Sequence, residues 1–167
     1  LSFGVDKPMD VFGGAWSGYV DKLSAGFQAV RNDDTVVLCG DISWGMSLEQ
    51  AKADFAFLHA LPGKKILMKG NHDYWWTTKS KMDRFLEECG FDTLTILHNN
   101  AISAEGVSLC GSRGWMFEQG QEHDKKLIAR EAGRIRASLQ DAARFGEQEK
   151  ILFLHYPPIF MQDLSLI

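Results

Sequence analysis

Three short apolar runs constrain the fold of this chain more than any other feature. They are Thr35-Val36-Val37-Leu38-Cys39, Lys65-Ile66-Leu67-Met68 and Lys150-Ile151-Leu152-Phe153-Leu154, and each has the length of a buried strand. Each also stops abruptly at polar residues. The first runs into Gly40-Asp41, the second into Gly70-Asn71-His72-Asp73, and the third into His155-Tyr156-Pro157-Pro158. A glycine at such a point lets the backbone turn sharply and lets a ligand come close.

The segments between these runs have helical periodicity. Trp16, Val20, Leu23, Phe27 and Val30 recur on one face after a Leu1–Pro8 loop. Ser47 and Gln50 form an S-x-x-Q capping box, and Leu48, Ala51, Phe55 and Leu58 follow as one helix face, stopped by Pro62-Gly63. A further helix is predicted from Thr77 or Thr78, burying Met82, Phe85, Leu86 and Cys89, with Gly90 beyond its end. Leu94–Leu97 reads as a short strand, and Ala101–Ala104 with Val107–Cys110 as a hairpin turning at Glu105-Gly106. A long helix from about Gln121 to Phe145 carries Ile128, Ile135, Leu139 and Ala142 on its buried face. Strands alternating with helices make an α/β plan, with the carboxyl ends of parallel strands gathered on the edge where open sheets bind ligands.

At 167 residues the chain reads as a single domain over 1–167 with a sizeable core. A net charge of −4 gives no basic footprint, so a nucleic-acid partner is not favoured. Cys39, Cys89 and Cys110 are far apart and never in a CxxC spacing, which predicts buried thiols in a reducing, cytoplasmic setting. No apolar run approaches the roughly 20 residues of a membrane span, and no signal peptide opens the chain. It begins at Leu1 rather than Met and ends in the apolar-rich Asp163–Ile167, and so reads as a piece of a longer polypeptide.

Asp41, Asn71 and His155 offer a carboxylate, an amide oxygen and an imidazole at three strand ends. Such a mixed oxygen–nitrogen set suits Mn, Fe, Zn or similar ions, and its lack of thiolate argues against a structural zinc site. Arg113, between glycines after a hairpin strand, can reach a phosphate bidentately or form a structural salt bridge. Tyr74-Trp75-Trp76 and Trp44 serve either as core and wall aromatics or as stacking surfaces. His59, His98 and His123 lack a strand-end setting and read as surface or packing residues, and Lys125, Lys126, Arg130 and Arg134 as the solvated face of the long helix.

Gly40-Asp41-Ile42-Ser43-Trp44, Gly70-Asn71-His72-Asp73 and His155-Tyr156-Pro157-Pro158 resemble, in order and spacing, successive blocks of the calcineurin-like metallophosphoesterases. Gly111-Ser112-Arg113-Gly114-Trp115 and the Tyr74-Trp75-Trp76 cluster resemble a bacterial branch of predicted phosphohydrolases. The resemblance implies a four-layer α/β/β/α β-sandwich flanked by helices, here truncated. It also implies two divalent ions (Mn, Fe or Zn) and a small phosphorylated substrate hydrolysed by a metal-bound hydroxide. By the same resemblance Asp41 bridges the two metals, and Asn71 and His155 ligate the second. His72 is the general acid, and Asp73 holds its imidazole. The family pattern also expects an Asp-x-His block and a Gly-His-x-His block, and neither string occurs here. Three ligands are too few for two well-held ions, which predicts weak or absent metal binding by these residues alone. The rival readings are a non-catalytic binding scaffold on the same fold, and a nuclease with a basic or aromatic groove.

Overall fold

The computed structural model describes residues 1–7, 9–115, 122–147 and 149–156, with the side chains of 122–125 excepted. Expectations at Pro8, at Gln121, at the side chains of His123 and Lys125, and beyond Tyr156 lie outside the described residues. The fold is mixed α/β, as the alternation of patterns predicts. It divides into two compact units, the first formed by Leu1–Leu67 and Asn71–Ile96, the second by Met68–Gly70 and the chain from Leu97 onward.

In the first unit, β1 (Thr35–Leu38), β2 (Lys64–Leu67) and β3 (Leu94–Ile96) form a parallel sheet in that order. Val36 lies opposite Lys65 and Lys65 opposite Leu94. Parallel pairing needs crossovers, which α2 (Leu48–Ala60) and α3 (Lys79–Glu88) supply. At the start of α2 the Gln50 amide donates to Ser47 Oγ at 3.3 Å, as a capping box requires. The return bond is shifted by one residue, because Gln50 Oε1 accepts from Met46 N at 2.8 Å. Past the end of α2, Gly63 has φ +81°, and a Cβ there would lie 2.8 Å from Val30 Cγ1. Lys65, 1% exposed, turns its ammonium back onto the freed carbonyls, donating to Leu61 O at 2.5 Å and Gly63 O at 2.6 Å. A cation there also meets the negative end of the α2 dipole. Phe55 fills the centre of this unit, 4.8 Å edge-on from Trp75 and 6.4 Å from Phe85.

Three expectations for this unit are corrected. Residues of β1 are half-buried rather than buried, since β1 is an edge strand and Val37 and Leu38 line an open apolar cleft of about 870 Å³. The first helix, α1, spans Tyr19–Phe27, while Trp16 sits in a 3-10 turn and is 44% exposed. Cys39 is likewise exposed, against the expectation of buried thiols, whereas Cys110 is buried.

In the second unit, β4 (Ala101–Ala104) and β5 (Val107–Ser112) form the expected hairpin, with positive φ at both Glu105 and Gly106. That pair of angles matches the twist of the strands it joins. β6 (Lys150–Leu154) then pairs parallel to β5, so β5 is central. Helix α4 (Glu122–Asp141) runs on into a 3-10 turn, Ala142–Phe145, and buries Ile128, Ile135 and Ala142 as predicted. Arg134 departs from the expected solvated face: its guanidinium donates to Glu131 Oε2 at 2.9 Å, and Glu131 is 2% exposed.

Candidate active site

Beyond β1 the backbone enters two consecutive positive-φ residues, Gly40 (φ 102°) and Asp41 (φ 56°). Asp is among the few side chains that tolerate that region, and non-glycine residues held there cluster at functional positions. The turn points successive amides inward, making a small anion-binding concavity. Its anion is a side chain of the protein itself. Asp73, 1% exposed, accepts from Asp41 N at 2.8 Å, Ile42 N at 2.7 Å and Ser43 N at 3.2 Å. Trp75 Nε1 adds a fourth donor at 3.0 Å. Asp73 thus ties the loop after β1 to the loop after β2.

With the loop fixed, the Asp41 carboxylate meets His72 twice. Oδ1 accepts from His72 N at 3.0 Å, and Oδ2 lies 3.0 Å from His72 Nδ1. The carboxylate described on the imidazole is therefore that of Asp41, whereas the family resemblance assigns that part to Asp73. Both side chains remain accessible, 40% for His72 and 37% for Asp41. The His72 ring also packs against Trp44, with centroids 4.8 Å apart. Asn71 turns its Nδ2 toward that ring, 3.1 Å from Nδ1 and 3.2 Å from Nε2, which sets the amide oxygen on the far side.

Beneath the turn lies a buried pair that sequence reasoning missed. Ser43 Oγ donates to Asp54 Oδ2 and accepts from Gly45 N at 3.0 Å, and Asp54 also accepts from Phe3 N at 2.6 Å. Asp54 is fully buried, and desolvation pushes its carboxyl above the usual range, partly opposed by these hydrogen bonds. A signal for it existed: Asp54 occupies the apolar-face position between Ala51 and Leu58.

The first unit therefore brings Asp41, Asn71, His72 and Asp73 together. Arg113 and His155 belong to the second unit. There His155 N and Tyr156 N donate to Arg113 O at 3.1 and 2.9 Å, so the ends of β5 and β6 are joined through backbone. Gly114 (φ 73°) makes room for that junction, since a Cβ on it would lie 3.0 Å from Tyr156 O. Glu131 holds the same loop from α4, accepting from Ser112 Oγ and from Gly114 N at 2.8 Å. Its place on the apolar face beside Ile128 and Ile135 was also a readable signal.

A carboxylate offers about four lone-pair sites, and two of those on Asp41 meet His72 in the described hydrogen bonds. Its oxygens and that of Asn71 are the hard donors that Mn²⁺ or Mg²⁺ accept. They fit part of a metal shell. Among the described residues no group of three or more His, Cys, Asp and Glu side chains is placed to hold an ion. None of the described helices is long and apolar enough to cross a membrane.

Comparison with known proteins gives one family match: a model described as calcineurin-like phosphoesterase matches residues 10–164. No curated protein matches the chain. Among solved structures, the protein of unknown function AQ665 from Aquifex aeolicus is 19% identical, with a TM-score of 0.41. The match covers 82% of this chain and 76% of that one.

Proposed function

We propose a reading that starts from one fact: the chain belongs to the calcineurin-like phosphoesterase family. Membership implies metal-dependent hydrolysis of a phosphoric ester, and members generally bind two divalent ions. Our finer reading is that Asp41 and Asn71 hold metal, that His155 is a further ligand, and that His72 delivers the proton to the departing oxygen. Bound divalent ions would supply charge neutralisation on the phosphoryl oxygens and an acidified water.

The observation that carries this reading is the Asp41–His72 pair. Asp41 Oδ2 faces Nδ1 at 3.0 Å, and a carboxylate on one ring nitrogen fixes the tautomer. Nε2 is then the nitrogen able to hand a proton to an ester oxygen. The main-chain bond from His72 N to the same carboxylate keeps the ring from swinging away. Asp73 has a positioning role in this scheme: it holds the amides of 41–43, and so the angle at which Asp41 is presented.

The test is hydrolysis of a series of aryl and alkyl phosphate esters by the full-length protein with Mn²⁺, with a chelator control. His72→Ala should leave metal content unchanged and lower turnover by about 10²–10⁴-fold for poor leaving groups, with a smaller loss for good ones. Equal losses across the series would remove His72 from the acid role.

A further inference from the structure

The apolar cleft of about 870 Å³ lies wholly within the first unit, and its volume falls in the roughly 300–1,000 Å³ range of small-molecule sites. Asp41 and His72 form part of its wall, so the cleft opens directly from that pair. Val37, Leu38 and Leu58 also line it, and its charged side chains besides Asp41 come down to Lys22. The Lys22 ammonium donates to Ala15 O at 3.0 Å.

The aromatic side of the cleft starts at the imidazole. The Trp44 ring is 4.8 Å from that of His72, and Phe12 stacks on Trp44 with centroids 5.8 Å apart and planes 10° from parallel. Trp16 and Tyr19 continue the wall, edge-on to one another at 6.3 Å. Lys7 Nζ covers a face of Trp44, 3.1 Å from its centroid, whereas Phe12 and Trp16 remain 53% and 44% exposed. Large rings scattered singly over a surface are ordinary, but rings grouped along one cleft mark a binding groove.

We propose that this cleft receives the leaving group of the phosphoric ester, and that the group is apolar, of alkyl or aryl kind. In the hydrolytic reading above, on which this rests, His72 serves the departing oxygen. The group borne by that oxygen is then the part of the substrate nearest the imidazole, and the apolar surface nearest the imidazole is Trp44 followed by Phe12. On hydrolysis the P–O bond to that group breaks, water supplies the new oxygen on phosphorus, and an alcohol or phenol leaves with the proton. A sugar or polyol would instead press its hydroxyls against Val37, Leu38 and the rings, and a hydroxyl buried without a partner costs binding. Phe12 and Trp16 are thus specificity-determining residues that touch no reacting atom.

The experiment measures kcat/KM of the full-length protein with Mn²⁺ on ethyl, butyl and hexyl phosphate, whose leaving groups are nearly equal in pKa and differ in apolar length. Glycerol phosphate is the polar control and should be the poorest substrate for its size. The wild type should gain about fourfold for each methylene that leaves water, expressed in KM. Phe12→Ala and Trp16→Ala should flatten that gain and leave ethyl phosphate unchanged. Calorimetric titration of the metal-free protein with 1-naphthol reads the cleft without turnover: one site in the wild type, about tenfold weaker in either variant. Both rings are exposed in short turns, so the variants should fold, which circular dichroism checks. Hydrolysis with no gain along the series, or with a gain that both variants keep, overturns the proposal and leaves the hydrolytic reading standing. Another stretch of polypeptide seated in the cleft would give that result, together with no naphthol binding. Naphthol binding that the variants weaken, with no ester turned over, sinks the hydrolytic reading and supports the cleft as a site for apolar ligands.

Discussion

Asp73 in the first unit and Glu131 in the second each lie buried behind the loop that follows a strand, and each collects that loop's donors. Asp73 takes three consecutive amides and an indole N–H. Glu131 takes a hydroxyl, one amide and the guanidinium of Arg134. The described donors to Asp73 are all neutral. Glu131 is offset by a cation one helical turn away. The same fastening is therefore made with different donors, backbone amides and an indole at the first loop and a set that includes a cation at the second. Changing each carboxylate tests what that difference is worth.

Asp73→Ala should have the largest effect on stability. It removes the acceptor of four buried donors at once, and such losses run to about 3–5 kcal/mol. Urea unfolding should show the midpoint falling with little change in slope. A loss under about 1 kcal/mol, typical of a single net hydrogen bond, would mean that water replaces Asp73 and that the loop after β1 is not set by it.

Glu131→Ala should cost less, about 2–3 kcal/mol, because Arg134 is 41% exposed and regains water when its partner goes. It also sharpens the comparison. The substitution removes one member of the Glu131–Arg134 ion pair, whose other member is 41% exposed. Added salt should then lower the unfolding midpoint less in the variant than in the wild type, because the pair that salt screens is gone. Equal salt dependence would show that the pair with Arg134 contributes nothing measurable to stability.

These two residues also mark where sequence ceases to be informative. Strand and helix positions followed from periodicity, and β6 and the hairpin fall where the apolar runs place them. The gathering of Asp41 with Asn71, His72 and Asp73 was legible because all of them end parallel strands of one sheet. The work of Asp73 was not, because its main partners are backbone amides, and no residue type announces those. Half-burial of β1 depends on strand order, which a single strand's composition does not carry. Glu131 and Asp54 were legible in principle, as acids at apolar-face positions of α4 and α2.

Asp54 supplies the smallest test and the finest one. It is a third buried carboxyl, but it has two described donors, Ser43 Oγ and Phe3 N, where Asp73 has four. With so few, desolvation wins and its pKa rises above the ordinary 3.8. A carboxyl whose folded pKa is raised binds its proton more tightly in the native state than in the unfolded chain. Its contribution to stability is complete below pH 3.8 and is lost as the pH climbs through the folded value. Asp54→Asn has no proton to lose, so its stability relative to wild type should improve across that window and level off above it. Urea titrations of both proteins at half-unit steps from pH 4 to 8 would reveal the drift. A difference that stays flat would mean that two donors suffice to keep a buried carboxylate charged.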